Sequence, residues 1–224
     1  MANDPRIKII IGHFGSGKTE ISINLSLIEK EQHDKVALSD LDVINLYFRS
    51  REVRSQLEQY DIELIAPKGK IATADLPYVS GELNRVICDS EYKVIIDVGG
   101  DKDGAVALGQ FYNQLKNQDY QMYFVVNVNR PYVSTVEGIK ETIKQIELVT
   151  RLKTSALINN TNLCRETTVD NIVRGFEITS EASKQLNLPI LYTTISSHLM
   201  EETKEFARVH DVLYIERFMK LPWE

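Results

Sequence analysis

The feature that most limits how this chain can fold is the pattern G-x-x-x-x-G-K-T at residues 12–19. It directly follows the apolar run Ile7–Ile11 and precedes a segment in which apolar residues recur at helical spacing. Such a loop needs a buried strand before it and a helix after it, because its backbone amides and the positive end of the helix act together on an anion. The pattern therefore predicts a strand–loop–helix unit that binds phosphate.

The individual residues of this loop have distinct chemical tasks. Gly15 and Gly17 let the backbone turn tightly and expose its amides. The Lys18 ammonium is expected to reach the β- and γ-phosphates of a nucleotide, and the Thr19 hydroxyl to coordinate Mg²⁺. We predict that the loop and the residue after it contact the nucleotide: Gly12, His13, Phe14, Gly15, Ser16, Gly17, Lys18, Thr19 and Glu20.

Composition places the chain among ordinary globular proteins and excludes several classes. Of 224 residues, 43% are hydrophobic and 26% are charged, which suits a single α/β domain spanning residues 1–224. The net charge of −6, without a polybasic stretch, argues against nucleic acid as a partner. Cys88 and Cys164 are too far apart in sequence for a local metal motif. We expect a cytoplasmic protein without membrane association, since the sequence has neither a signal-peptide pattern nor a long apolar stretch.

Short apolar runs alternate with segments of helical periodicity along the chain. This order predicts an α/β fold with a mostly parallel sheet flanked by helices on both faces, the three-layer architecture of P-loop NTPases. The predicted strands are Arg6–Ile11, Lys35–Ser39, Ile62–Ala66, Tyr92–Val98, Met122–Val128, Ser155–Ile158 and Pro189–Thr193. The predicted helices are 17–30, Arg49–Glu58, Leu76–Cys88, Gly104–Leu115, Val133–Thr150, Thr167–Arg174, Ser180–Asn187 and Leu199–Arg208. Ligands of such sheets lie beyond the carboxyl ends of the strands, so polar residues there are candidates for one site.

An acidic residue and a pair of glycines end the fourth predicted strand. Asp97 closes the apolar residues Val94-Ile95-Ile96 of this strand, and a carboxylate at that place can hold a Mg²⁺-bound water. Gly99 and Gly100 follow, and a glycine pair lets a backbone amide approach the γ-phosphate and move when that phosphate is lost. The alternatives are a solvated aspartate and an ordinary turn. We interpret Asp97 as a metal ligand and the two glycines as nucleotide contacts.

Two further carboxylates, Asp40 and Asp42, follow the second predicted strand. Phosphoryl transfer needs positioned acids for the metal shell and for the attacking water, and two acids at this spacing can divide those tasks. A polar turn without ligand contact is the alternative. We predict that both acids take part in catalysis together with Lys18.

The run Asn159-Asn160-Thr161-Asn162 ends the sixth predicted strand. A guanine-binding N-K-x-D motif would place an aspartate here, but the fourth residue is Asn162 in one register and Leu163 in the other. Asn160 can instead pair with adenine, because an amide offers both a donor and an acceptor. The sequence thus indicates ATP rather than GTP, with Asn160 and Thr161 as nucleotide contacts and an asparagine-rich loop as the alternative.

Taken together, these motifs resemble the MinD/ParA/Mrp branch of P-loop ATPases, which includes the nitrogenase iron protein. The resemblance rests on the loop at residues 12–19, the pair Asp40/Asp42, Asp97 with its glycines, and the run 157–160, and it extends from about residue 6 to residue 200. It implies that Asp42 places the attacking water and that Asp40 and Asp97 serve the Mg²⁺ shell. It also implies that Asn160 reads adenine. The loop with Thr194 and Ile195 would then flank the other side of the base.

One departure from this family concerns its dimer. Many members carry a second lysine after the first glycine of the loop, and it reaches across an ATP-bound dimer, whereas this chain has His13. A histidine is only partly charged at neutral pH, so a homodimer is possible but its ATP-driven form loses support. The cysteines that hold a cluster in some relatives are also missing.

Three functions remain open at the level of sequence. The first is a slow ATPase that acts as a nucleotide-dependent switch or assembly factor on a protein partner. The second is a small-molecule phosphotransferase or ATP-dependent ligase, for which the segments 43–88 and 101–118 have room. The third is an ATP sensor without catalysis. The apolar end of the chain, Val212–Trp223, is expected to pack on the domain or on a partner rather than to bind a membrane.

Overall fold

One parallel sheet organises the part of the chain that the structure, a computed structural model, describes: residues 4–41, 54–66, 76–100 and 102–218. Its eight strands lie in the order β3-β2-β4-β1-β5-β6-β7-β8, and every neighbouring pair is parallel. The strands are β1 Ile7–Gly12, β2 Val36–Asp40, β3 Glu63–Ile65, β4 Lys93–Asp97, β5 Tyr120–Val126, β6 Thr154–Asn159, β7 Ile190–Ser196 and β8 Val212–Ile215. The predicted α/β fold class is confirmed.

Helices cover both faces of this sheet. They are α1 Lys18–Lys30, α2 Arg54–Gln59, α3 Leu76–Cys88, α4 Lys102–Gly109, α5 Tyr112–Leu115, α6 Val136–Thr150, α7 Val169–Leu186 and α8 Lys204–Ala207, with 3₁₀ turns at Cys164–Glu166 and Ser197–Leu199. Successive side chains of β1 point to opposite faces, so Ile9 and Ile11 join the core under α3 to α7 while Ile10 joins the core under α1 and α2. Burial on both faces explains why β1 is an almost continuous apolar run.

The end of the chain differs from the prediction. β7 continues to Ser196 rather than ending at Thr193, and the residues 212–215 add an eighth strand next to it. All four β8 residues are only partly buried, which is typical of an edge strand and explains why their pattern did not indicate one. The segment 216–218 then runs along α1, where the Asn24 side chain exchanges hydrogen bonds of 2.8 and 2.9 Å with the Glu216 backbone.

The helix before β7 is also different from the prediction. A single helix, α7, replaces the two that were expected, and Gly175 lies inside it. A Cβ atom on Gly175 would overlap the side chain of Thr161. The glycine therefore permits close packing of α7 against the segment after β6, and it does not end a helix.

The topology brings the carboxyl ends of six strands to one edge of the sheet. The loop at 12–19 follows β1, which lies between β4 and β5, and the ends of β2, β6 and β7 lie farther out on either side. Those polar residues singled out from the sequence that end or directly follow a described strand therefore share one edge. None of the described helices is long and apolar enough to cross a membrane.

Candidate functional site

The loop at residues 12–19 has the backbone geometry of an anion cradle. Gly15 and Gly17 adopt left-handed conformations, with φ angles of 71° and 87°, and α1 begins directly afterwards at Lys18. A Cβ atom on Gly12 would lie 2.5 Å from the Val125 carbonyl oxygen of the neighbouring strand. The three glycines are therefore required by backbone conformation or by close approach, and the N-terminus of a helix that follows such a loop favours an anion.

The ammonium of Lys18 lies between the loop and the segment after β4. Its Nζ donates to the His13 carbonyl oxygen at 3.3 Å, and the side chain is almost fully buried. A Cβ atom on Gly100 would lie 2.7 Å from this Nζ and 2.6 Å from the Phe14 backbone nitrogen. Gly100 thus lies against both the loop and the lysine, and the buried Gly99 precedes it. A terminal phosphate held by Lys18 would meet the Gly100 backbone.

Three oxygen-bearing side chains lie at the ends of β2 and β4 and at the start of α1: Asp40, Asp97 and Thr19. The Thr19 hydroxyl donates to Asp97 Oδ2 at 2.7 Å, which joins α1 to the end of β4. Asp40 and Asp97 are register partners on the adjacent strands β2 and β4, so their side chains are on one face of the sheet. Both are about 1% exposed.

These side chains fit the requirements of Mg²⁺. Hydroxyl and carboxylate oxygens are its preferred protein ligands, and two buried carboxylates on neighbouring strands favour a divalent cation beside them. Thr19, Asp40 and Asp97 are therefore suited to hold the metal. Asp42 lies outside the described residues, and its role stays a prediction.

The amide of Asn160 is engaged within the protein. Its Nδ2 donates to the Ser16 carbonyl oxygen at 2.6 Å, and its Oδ1 accepts a 2.6 Å hydrogen bond from the Thr194 hydroxyl. Asn160 is 4% exposed, and a Cβ atom on Gly17 would overlap its Nδ2. The side chain therefore ties the ends of β6 and β7 to the loop, a role that the sequence did not suggest.

Asn162, the fourth residue of the guanine-binding pattern when that pattern is read from Asn159, also has its side-chain amide engaged. Its Nδ2 donates to the Asn160 carbonyl oxygen at 2.8 Å, and its Oδ1 accepts from the Cys164 backbone at 3.2 Å. These bonds stabilise the turn after β6. Asn162 also lacks the carboxylate that would bind the guanine edge.

The other predicted contacts have different surroundings. The hydroxyl of Thr161 accepts from the Val128 backbone at 3.2 Å, and the Ile195 side chain packs in a small apolar cluster with Ile172 and Leu199. Glu20 Oε2 accepts from the Phe218 backbone at 2.9 Å, so this carboxylate holds the end of the chain against α1.

The outer surface of the loop is aromatic. Phe14 is 54% exposed, and the His13 ring lies 5.3 Å from the ring of Tyr132, which is 75% exposed. Ser16 is fully buried within the loop. Phe14 therefore presents its ring to solvent, and the His13 ring lies against that of Tyr132.

Sequence reasoning missed Arg130 altogether. The residue follows β5, and its Nε donates to the Gly15 carbonyl oxygen at 2.9 Å. The sequence did contain a signal, since Asn127-Val128-Asn129-Arg130 is a polar run beyond a buried strand next to β1.

A parallel sheet of this order, with a glycine-rich loop between β1 and α1 and an acid as the last residue of both β2 and β4, is typical of the P-loop NTPase fold. No protein-family model and no curated protein matches the chain. Solved structures do match. Cell division protein FtsY from Thermotoga maritima has a TM-score of 0.59 at 16% identity, and the match covers 88% of this chain and 63% of that one.

Two other solved structures are similar. The signal recognition particle receptor FtsY from Elizabethkingia anophelis, in complex with GDP, has a TM-score of 0.54 at 17% identity, with 88% of this chain and 59% of that one covered. Signal recognition particle 54 kDa protein from Aeropyrum pernix K1, also with GDP, has a TM-score of 0.50 at 14% identity, with 86% and 42% covered. The chain thus spans about three fifths of the FtsY structures. At this identity the similarity establishes the fold.

Proposed function

We propose that this chain binds ATP with Mg²⁺ and hydrolyses it slowly, as a nucleotide-dependent switch that acts on a protein partner. The observation that carries the proposal is the 2.7 Å hydrogen bond from Thr19 to Asp97. It places together the two oxygens that a magnesium nucleotide would need, one from the loop and one from the end of β4. The likeness to P-loop structures and the resemblance to MinD and ParA proteins both support this function.

Different residues would bind the phosphates, bind Mg²⁺ and sense the presence of the terminal phosphate. The loop amides and Lys18 hold the phosphates, and Thr19, Asp40 and Asp97 hold Mg²⁺, which neutralises phosphate charge when bound. Gly100 lies so close to the lysine ammonium that a Cβ atom on it would be 2.7 Å from Nζ. Loss of the terminal phosphate would therefore remove a partner of the segment after β4. That segment is the part of the site suited to report the state of the nucleotide.

The proposed nucleotide carries adenine rather than guanine. Asn162 offers no carboxylate to the N1 and N2 groups of guanine, and its amide is already bonded to backbone. GTP is the second candidate, because two of the similar structures contain GDP.

Competition between nucleotides tests the base. We expect ATP to displace a fluorescent ATP analogue at concentrations about tenfold lower than GTP, since one missing charged hydrogen bond costs roughly 1.5 kcal/mol. Fluorescence anisotropy with Mg²⁺ gives both affinities. Equal displacement by GTP would contradict the adenine preference, and failure of both nucleotides to bind would contradict the proposed function.

Hydrolysis is tested through Asp42. We expect Asp42→Asn to keep ATP affinity within about twofold of the wild type, while phosphate release slows about 100-fold, because the water loses the carboxylate that orients it. The measurements are calorimetry and a phosphate-release assay. Asp103→Asn, at an exposed acid of α4, is the control and should leave both values unchanged. Wild-type turnover in Asp42→Asn would remove this residue from the mechanism, and no turnover in the wild type would favour a sensor.

A further inference from the structure

The turn after β5 places a cation directly on the phosphate loop. Besides the 2.9 Å hydrogen bond from Arg130 Nε to Gly15, the guanidinium carbon lies 3.2 Å from the Cβ position of that glycine. The two residues are 115 positions apart in sequence. The contact exists because β5 lies next to β1, so the segments that leave the two strands run side by side.

Arg130 has no acidic partner within the described ranges of the chain. Of its three guanidinium nitrogens, only Nε donates a hydrogen bond to another described residue. The four N–H groups on the two Nη atoms are left to bind a ligand. Arg85 and Arg208, in contrast, are paired with the carboxylates of Glu63 and Glu205. A backbone carbonyl holds this partly buried arginine against the loop without neutralising its positive charge, as a carboxylate would. The charge is therefore available to bind an anionic ligand.

The turn that carries Arg130 is held firmly. The fully buried Asn127 accepts backbone hydrogen bonds from Asn129 at 3.1 Å and from Arg130 at 2.9 Å, and its Nδ2 donates to the Asn162 carbonyl oxygen at 3.2 Å. Two residues farther on, Tyr132 adopts a left-handed conformation with φ 67°, which brings its ring to His13. The guanidinium is therefore positioned in advance of binding, which lowers the entropy lost when it meets a ligand.

We propose that Arg130 is a phosphate-binding residue of this site and supplies a second permanent positive charge to the polyphosphate chain of the nucleotide. The inference rests on the proposed function, because it requires that the cradle binds a nucleotide. Lys18 approaches the phosphates from the buried side of the loop, and Arg130 approaches from the open side. The guanidinium of an arginine stays charged throughout the physiological pH range.

The test compares three variants by calorimetry with ATP and Mg²⁺ at several salt concentrations. Arg130→Gln should weaken ATP binding about 10- to 100-fold and flatten the dependence of log Kd on log salt, because one charge contact is lost. Arg130→Lys keeps the charge, so it should retain the wild-type salt dependence and recover part of the affinity. Arg208→Gln is the matched control, since it removes an exposed arginine four residues before β8, and it should bind like the wild type.

The possible outcomes separate this inference from the proposed function. Wild-type affinity in Arg130→Gln, with Lys18 still required, would overturn the inference and leave the proposed function intact. Equal weakening in both Arg130 variants, with an unchanged salt dependence, would also overturn it, because Arg130 would then act only through the Gly15 carbonyl. A wild-type protein that binds no nucleotide would overturn both.

Discussion

Replacing Lys18 by alanine is expected to weaken ATP binding about 100-fold. Lys18 is a buried residue, and its ammonium lies beside both the loop and the segment after β4. Phosphate oxygens at that place would form charge-assisted hydrogen bonds in surroundings with little water, and losing such contacts costs about 3 kcal/mol. Isothermal titration calorimetry with Mg²⁺ measures the effect directly, since each 1.4 kcal/mol changes Kd tenfold.

The control for this experiment is Lys144→Ala, at an exposed lysine on α6. It removes the same charge and methylene groups from the surface, so ATP affinity should stay within about twofold of the wild type. Circular dichroism of both variants establishes that they are folded. If folded Lys18→Ala binds ATP as the wild type does, the cradle is not the nucleotide site and the proposed function fails.

The parts of the site that could be predicted are those whose residues are adjacent in the sequence. The glycines at 15 and 17 and the lysine at 18 are adjacent in the chain, and each has a physical reason to be that residue type. Asp97 could be predicted because a buried apolar run that ends in one acid must place that acid at the strand end. The pairing of β2 with β4 then brings Asp40 beside it.

The parts that could not be predicted depend on the order of strands in the sheet. Arg130 contacts Gly15, and Asn160 contacts Ser16, 144 residues away, only because β5 and β6 follow β1 in space. Periodicity indicates strands but does not order them. The amide of Asn160 therefore suggested a base contact, since an isolated asparagine shows its chemistry but not its partners.

Asn160→Ala distinguishes a structural role of this amide from base recognition. The substitution leaves the Ser16 carbonyl and the Thr194 hydroxyl without their buried partner. Loss of two hydrogen bonds and one unsatisfied carbonyl should cost about 3 kcal/mol of unfolding free energy, and for a chain of this length that lowers Tm by about 6–12 °C. Calorimetric melting without nucleotide measures this change, and Asn113→Ala at an exposed position of α5 is the matched control.

The affinities of Asn160→Ala for ATP and GTP distinguish the same two roles. Because Asn160 holds the loop through Ser16, its loss should weaken ATP and GTP by the same factor, about tenfold, as the loop loses its fixed geometry. A residue that reads adenine would behave differently. Its loss would leave Tm unchanged and weaken ATP alone, so that the two nucleotides became equivalent. Phosphate binding by the loop and selection of the base are thus separable. Only phosphate binding depends on the hydrogen bond from Asn160, at the end of β6, to the Ser16 carbonyl oxygen of the loop.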